Sequence, residues 1–160
     1  MSTQETPAAR ADRAEVLARA DAAWQRFQAS LAGLTAVDYE RPGVEGLWSL
    51  KDTLGHMTGW FLRATRCLEG YLDGEPFPTD LKIDQFNAES VALRAKADPV
   101  AVLDELREAY GGWVKLVRRI PDDRLTVNLA RHWTIRAMIH HFEEHEPAVR
   151  RAHDLAQSEN

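Results

Sequence analysis

Two nine-residue stretches of this chain carry one pattern. Trp48–His56 reads W-S-L-K-D-T-L-G-H and Trp133–His141 reads W-T-I-R-A-M-I-H-H. They align without a gap: Trp, Ser or Thr, Leu or Ile, Lys or Arg, two variable positions, Leu or Ile, one more, then His. The hydroxyl residue after each Trp suits a helix N-cap, so each stretch reads as a helix start. In both copies the His follows the Trp by eight positions, so equivalent helices would each deliver an imidazole at the same depth. The pattern therefore demands two long helices and suits a fold in which their early turns face each other. The second copy continues to His145, and His141 and His145, at i and i+4, project from one helix face.

The rest of the chain is also patterned for helices. Val16, Ala20, Ala23, Phe27, Leu31 and Leu34 recur at steps of three and four, predicting a helix from about Pro7 to near Gly33. Arg13, Arg19 and Arg26 lie off that stripe. Thr35–Leu47, with Pro42, Gly43 and Gly46, reads as a loop long enough to help shape a site. A second helix starts at Ser49, where Ser49 and Asp52 form a capping-box pair. Its core stripe is Leu50, Leu54, Met57, Phe61, Ala64, Leu68 and Leu72, with His56 and Trp60 on one flank. Gly74–Asp80 breaks it.

Ile83–Ala97 is helical in pattern. Asp98 caps a further segment with Pro99 in its first turn, and Leu106, Tyr110, Trp113, Val117 and Ile120 continue the apolar face. Gly111-Gly112 inside that segment costs about 1 kcal/mol per glycine relative to alanine, which points to a close helix contact, a kink or a backbone beside a ligand. The last helix is expected from Thr134 to about Ala156, with Pro147 inside it. No strand-like alternation of useful length appears. The expectation is an all-α chain: one domain of 160 residues forming a four-helix bundle over about residues 8–156, with short polar tails such as Met1–Thr6.

Composition narrows the partners. A net charge of −5 argues against nucleic acid. No apolar run approaches the ~20 residues of a membrane span, and the first ten residues have no signal-peptide core. The single cysteine, Cys67, permits no internal disulfide, which fits a reducing cytoplasm.

A histidine on an apolar flank is ordinarily a hydrogen-bonded core residue, and an isolated H-x-x-x-H arises readily by chance. The repeat is what favours a ligand set: His56, His141 and His145 would converge on one divalent ion, zinc or nickel, with a position left open. The segment H-F-E-E-H also fits the H-x-x-E-H of inverzincin peptidases. That reading needs a distant acidic ligand, and only 15 residues follow His145. Glu144 is expected to pair with His140 on the exposed side and is the one weak candidate for an acid or base. Trp60 and Tyr110 are candidate pocket walls, with core packing as the alternative for each. Cys67 reads as a small buried hydrophobe rather than a nucleophile.

These residues resemble the DinB/YfiT-like superfamily. Its members show W-[ST]-x-x-[DE]-x-x-x-H at the start of the second helix, here Trp48–His56, and H-x-x-x-H in the last helix, here His141–His145. Ile83–Asn87, I-D-Q-F-N, is similar to a segment between their second and third helices. The resemblance implies an up-down-down-up four-helix bundle with His56, His141 and His145 as metal ligands. It also implies a metal-dependent hydrolase, or an S-transferase using a low-molecular-weight thiol such as mycothiol or bacillithiol, acting on a small electrophile. A homodimer is a further expectation. The N-terminal domains of mycothiol-dependent maleylpyruvate isomerases and the ClbS-like self-resistance proteins have related bundles. The second reading is therefore a non-catalytic module that binds a small toxic molecule.

Overall fold

The computed structural model describes residues 8–158; the polar segment Met1–Thr6 lies outside them. Four long helices dominate: α1 (Arg13–Ser30), α3 (Leu50–Leu72), α5 (Pro99–Arg119) and α7 (Arg136–Ser158). Between them lie the short helices α2 (Ala36–Glu40), α4 (Ile83–Leu93) and α6 (Val127–Arg131), and a hairpin of β1 (Pro42–Glu45) and β2 (Trp48–Ser49). The described residues are all-α apart from that hairpin. Among the described residues, no helix is long and apolar enough to cross a membrane.

Side-chain contacts give the direction of each helix. Arg13, at the start of α1, donates to the carbonyls of Val117 and Ile120 at the end of α5, so these two helices are antiparallel. Lys51 at the start of α3 reaches the Ala95 and Ala97 carbonyls just before α5. Phe61 meets Tyr110 and Trp113 midway, and Arg124 just beyond α5 reaches the Tyr71 and Leu72 carbonyls. Helices α3 and α5 are therefore parallel. His56 faces His141 while Trp60, one turn later, faces Trp133, so α3 and α7 are antiparallel. The bundle is up-down-down-up. Its centre is an aromatic cluster of Trp24, Phe27, Phe61, Tyr110, Trp113 and Phe142, with ring centroids 4.9–6.5 Å apart.

Several local readings shift. Helix α1 starts at Arg13, not Pro7, because Asp12 caps it by accepting from the Ala14 and Glu15 amides. The preceding residues instead pair with the segment before α6: the Ala11 amide donates to Leu125 and the Val127 amide to Ala9. Thr35–Leu47 is not a plain loop. Thr35 and Asp38 form a capping interaction that starts α2, and the hairpin follows. At Ser49 the expected capping box is present, with the Ser49 amide 3.0 Å from Asp52 Oδ2. Helix α7 begins two residues after Thr134. That residue lies in a buried turn, where its carbonyl accepts the Trp113 indole N–H at 2.8 Å and its hydroxyl meets His132 Nδ1 at 2.9 Å.

Gly111 and Gly112 do not mark a close approach: a Cβ on either would meet nothing within 4 Å. The close approach is at Gly59, where α3 presses on α4 and a Cβ would overlap Ser90. Gly59→Ala should accordingly lose about 1–3 kcal/mol by overpacking, whereas Gly111→Ala should gain roughly 0.5–1 kcal/mol by stiffening an unhindered helix. Urea denaturation of both variants checks the pair. Equal effects of the same sign would contradict this packing.

Candidate functional site

The antiparallel contact of α3 and α7 places three imidazoles together. Each is buried, at 6–7% exposure. His56 Nε2 and His141 Nε2 lie 3.0 Å apart, and the ring centroids of His56, His141 and His145 are 4.8–4.9 Å from one another. One nitrogen from each ring falls within 4.8 Å of the other two. Trp48 of β2, just before α3, packs its ring 5.2 Å from His56, roofing the cluster on that side.

A fourth residue, absent from the sequence-based candidates, fixes one ring. Glu45 reaches across from β1, and its Oε2 accepts a hydrogen bond from His145 Nδ1 at 2.9 Å. A carboxylate only accepts, so Nδ1 carries a proton and Nε2 is the nitrogen turned to the interior. The same oxygen accepts from Thr53 Oγ1 of α3 at 3.2 Å. Burial pushes the Glu45 carboxyl up, but hydrogen bonds from His145 and Thr53 and the nearby imidazoles outweigh it and leave it below the ordinary carboxylate value. The hairpin thus serves to hold one carboxylate behind one imidazole.

The other two rings are held neutral. Burial, then the proximity of His145, lower His56 to about 4 against the upward pull of Glu45 and Asn87. His141 is pushed well below its ordinary value by burial and by its two histidine neighbours. Neutral imidazole is the metal-binding form.

The donor set fits a divalent cation. His56 Nδ1 and His141 Nδ1 are buried without a hydrogen-bond partner, and between the two rings only one contact exists. Two buried imidazoles sharing one hydrogen bond form a poorly satisfied polar pair. A zinc ion with bonds of ~2.0–2.1 Å holds its nitrogen donors about 3.3 Å apart, close to the 3.0 Å separation of His56 and His141. Among the described residues, no carboxylate or thiol joins the cluster as a fourth donor. Glu45 sits behind His145 rather than inside the set. Cys67 lies 11 residues beyond His56 on α3, about 16 Å along the axis.

Beside the imidazoles is a cavity of about 260 Å³ lined by Trp60, Leu81, Ile83, Trp133, Met138, His141 and Glu144, among others. Trp60 is oriented by donating its indole N–H to Asn87 Oδ1 at 2.8 Å. Tyr110 does not reach this cavity; it belongs to the aromatic centre of the bundle, packed on Trp24, Phe61 and Phe142. Glu144 does not pair with His140, whose Nδ1 is 3.4 Å from Glu143. Glu144 instead forms part of the cavity wall, next to the open side of His141. Glu144 is exposed, as its flanking position on α7 implies, and Leu81 and Ile83, which come across at the start of α4, make that exposed flank one side of the cavity mouth.

The family model described as the DinB superfamily matches residues 19–147, which include all three histidines and Glu45. The crystal structure of an uncharacterised protein from Escherichia coli UTI89 superposes with a TM-score of 0.70. It is 16% identical, and the match covers 98% of each chain, so it speaks for the fold alone. A comparison with curated proteins finds no match.

Two outcomes follow. Removing the carboxylate with Glu45→Ala should weaken metal affinity by about 10–100-fold by freeing the His145 ring, with Glu45→Gln less affected; competition with a chromophoric chelator measures both. Equal affinity in all three proteins would show that Glu45 does not position the ring. Separately, His56 has a folded-state value of about 4 against 6.5 when unfolded. Its contribution is therefore present above pH 6.5 and lost as pH falls toward 4, on the order of 3 kcal/mol. Denaturant titrations of the metal-free protein across that range should show a steeper loss than in His56→Gln; superimposable profiles would contradict the assignment.

Proposed function

The chain belongs to the DinB superfamily, and from that premise we propose that His56, His141 and His145 hold one divalent metal ion, zinc or nickel, at the centre of a thiol-dependent S-transferase or hydrolase. The observation that carries this reading is the convergence of three buried imidazole donors, His56 and His141 among them held neutral, with no fourth protein ligand among the described residues. Three protein ligands with an open position are the catalytic pattern, whereas a closed four-ligand set is the structural one. Bound there, the ion would lower the pKa of a thiol or water reaching it, so that a nucleophile forms near neutral pH.

The residues of the chain supply the rest. Glu45 keeps the His145 proton on Nδ1 and the ring in place. Trp48 and Trp60 limit the access of bulk water on two sides of the imidazoles. The apolar cavity walls suit the carbon skeleton of a small electrophile. Glu144 is the ionisable group on that wall and the candidate to accept a proton from an incoming thiol.

His145→Ala should abolish stoichiometric metal binding while leaving the helices intact by circular dichroism. In the cobalt-substituted wild type, titrating bacillithiol or mycothiol should shift the visible spectrum as sulfur joins the ion. A cobalt spectrum indifferent to thiols, with tight binding of small electrophiles and no turnover, would favour a sequestering module instead. Full metal occupancy in His145→Ala would overturn the three-histidine centre itself.

A further inference from the structure

The cavity beside His141 is not isolated. It shares Trp133, Ala137 and Glu144 with a second cavity of about 430 Å³, which in turn shares Arg131, Arg136 and His140 with a third of about 870 Å³. The three form a groove that wraps around the N-terminal half of α7, from the imidazole side to the face against α1. Its broad end lies between the residues leading into α1, α6 and the start of α7. Arg10, Arg19, Arg131 and Arg136 line that end.

The charge balance there is opposite to that of the chain. Four guanidinium groups face two carboxylates, Asp12 and Glu15, in a protein of net charge −5. Asp12 is already engaged in capping α1 through the Ala14 and Glu15 amides. None of the four arginines makes a salt bridge within 4.0 Å among the described residues, although Arg13, Arg26 and Arg94 elsewhere all do. Farther along the groove, Glu143 is taken up by Arg26 and His140, so it does not neutralise Arg131 and Arg136, which line both the broad end and the middle cavity. Arg10 acts at longer range on Asp122, which Arg13 already binds; with Arg19, Arg131 and Arg136 it leaves an excess of guanidinium in one concave place, which suits a multiply charged anion bound through paired hydrogen bonds.

We propose that this cleft binds the anionic end of the substrate or thiol co-substrate, a carboxylate- or phosphate-bearing small molecule whose uncharged reactive end lies in the apolar cavity at His141. Arg136 and His141 are five residues apart on α7, about 7.5 Å along its axis. They also lie about 140° apart around the helix, so a ligand on the order of 15 Å long spans the groove. The identity of the reacting end rests on the metal reading above; the anion cleft does not, because it contains none of the three histidines.

The test uses the metal-free full-length protein, titrated calorimetrically with inorganic pyrophosphate and, separately, with succinate at low ionic strength. Saturable one-to-one binding is expected, weakening as salt is raised and falling at least tenfold in Arg131→Gln/Arg136→Gln. Arg150→Gln/Arg151→Gln, an exposed pair near the far end of α7, should bind as wild type, and so should His145→Ala, which separates this outcome from failure of the metal reading. Tighter binding of pyrophosphate marks a phosphate headgroup, and tighter binding of succinate a carboxylate one. If the first double variant does not fold, Arg19→Gln on the α1 wall should still weaken binding severalfold. No saturable binding, or an equal loss in both arginine pairs, would overturn the proposal.

Discussion

The contact of α3 with α7 is the interaction on which everything at the candidate site depends. Phe61 stacks on Phe142, with centroids 5.3 Å apart, in the same interface that sets His56 against His141. The apolar side of this interface is worth several kcal/mol of burial, and that gain is what offsets the cost of leaving two imidazoles without partners on their Nδ1 atoms. A single register of α3 against α7 satisfies both. Sliding one helix by a turn would separate the aromatic pair and scatter the three rings.

The rest of the bundle keeps that register. Arg13 ties the start of α1 to the end of α5, Arg124 ties the segment after α5 to the end of α3, and Lys51 ties the start of α3 to the segment before α5. Each uses a cation to satisfy carbonyls that helix ends or turns leave open. The Trp113 indole does likewise for the buried turn that precedes α7. The hairpin depends on this frame as well: Glu45 reaches His145 only because α2 and the capping at Ser49 hold both of its flanks.

Much of this was legible in the sequence, for a physical reason. The W-x₇-H repeat encodes depth along a helix, and depth is what two facing helices must match; the convergence of His56 and His141 follows from it. The capping pair Ser49–Asp52 and the break at Asp98-Pro99 are local chemistry and are found where expected. Glu45 was not legible, because its role comes from a tertiary reach out of a four-residue strand with no periodicity to read. Its one signal is the flanking pair Gly43 and Gly46, both at positive φ, which mark tight turns rather than slack loop. Tyr110, on the apolar face of α5, and Trp60, on the flank of the α3 stripe, are both aromatic, and only packing tells core from wall. The glycines show the same limit: a helix-interior glycine signals a cost, yet whether a neighbour occupies the missing Cβ, as Ser90 does at Gly59 but nothing does at Gly111, is decided by another helix.

The central claim is that one ion sits among three imidazoles and keeps a place for an exchangeable ligand. X-ray absorption of the zinc-loaded protein reads this directly. The account predicts one zinc per chain in a first shell of three imidazole nitrogens plus one light atom that sulfur replaces on addition of a thiol. A shell with a fourth protein ligand that no thiol displaces, or zinc bound without imidazole scattering, would contradict it.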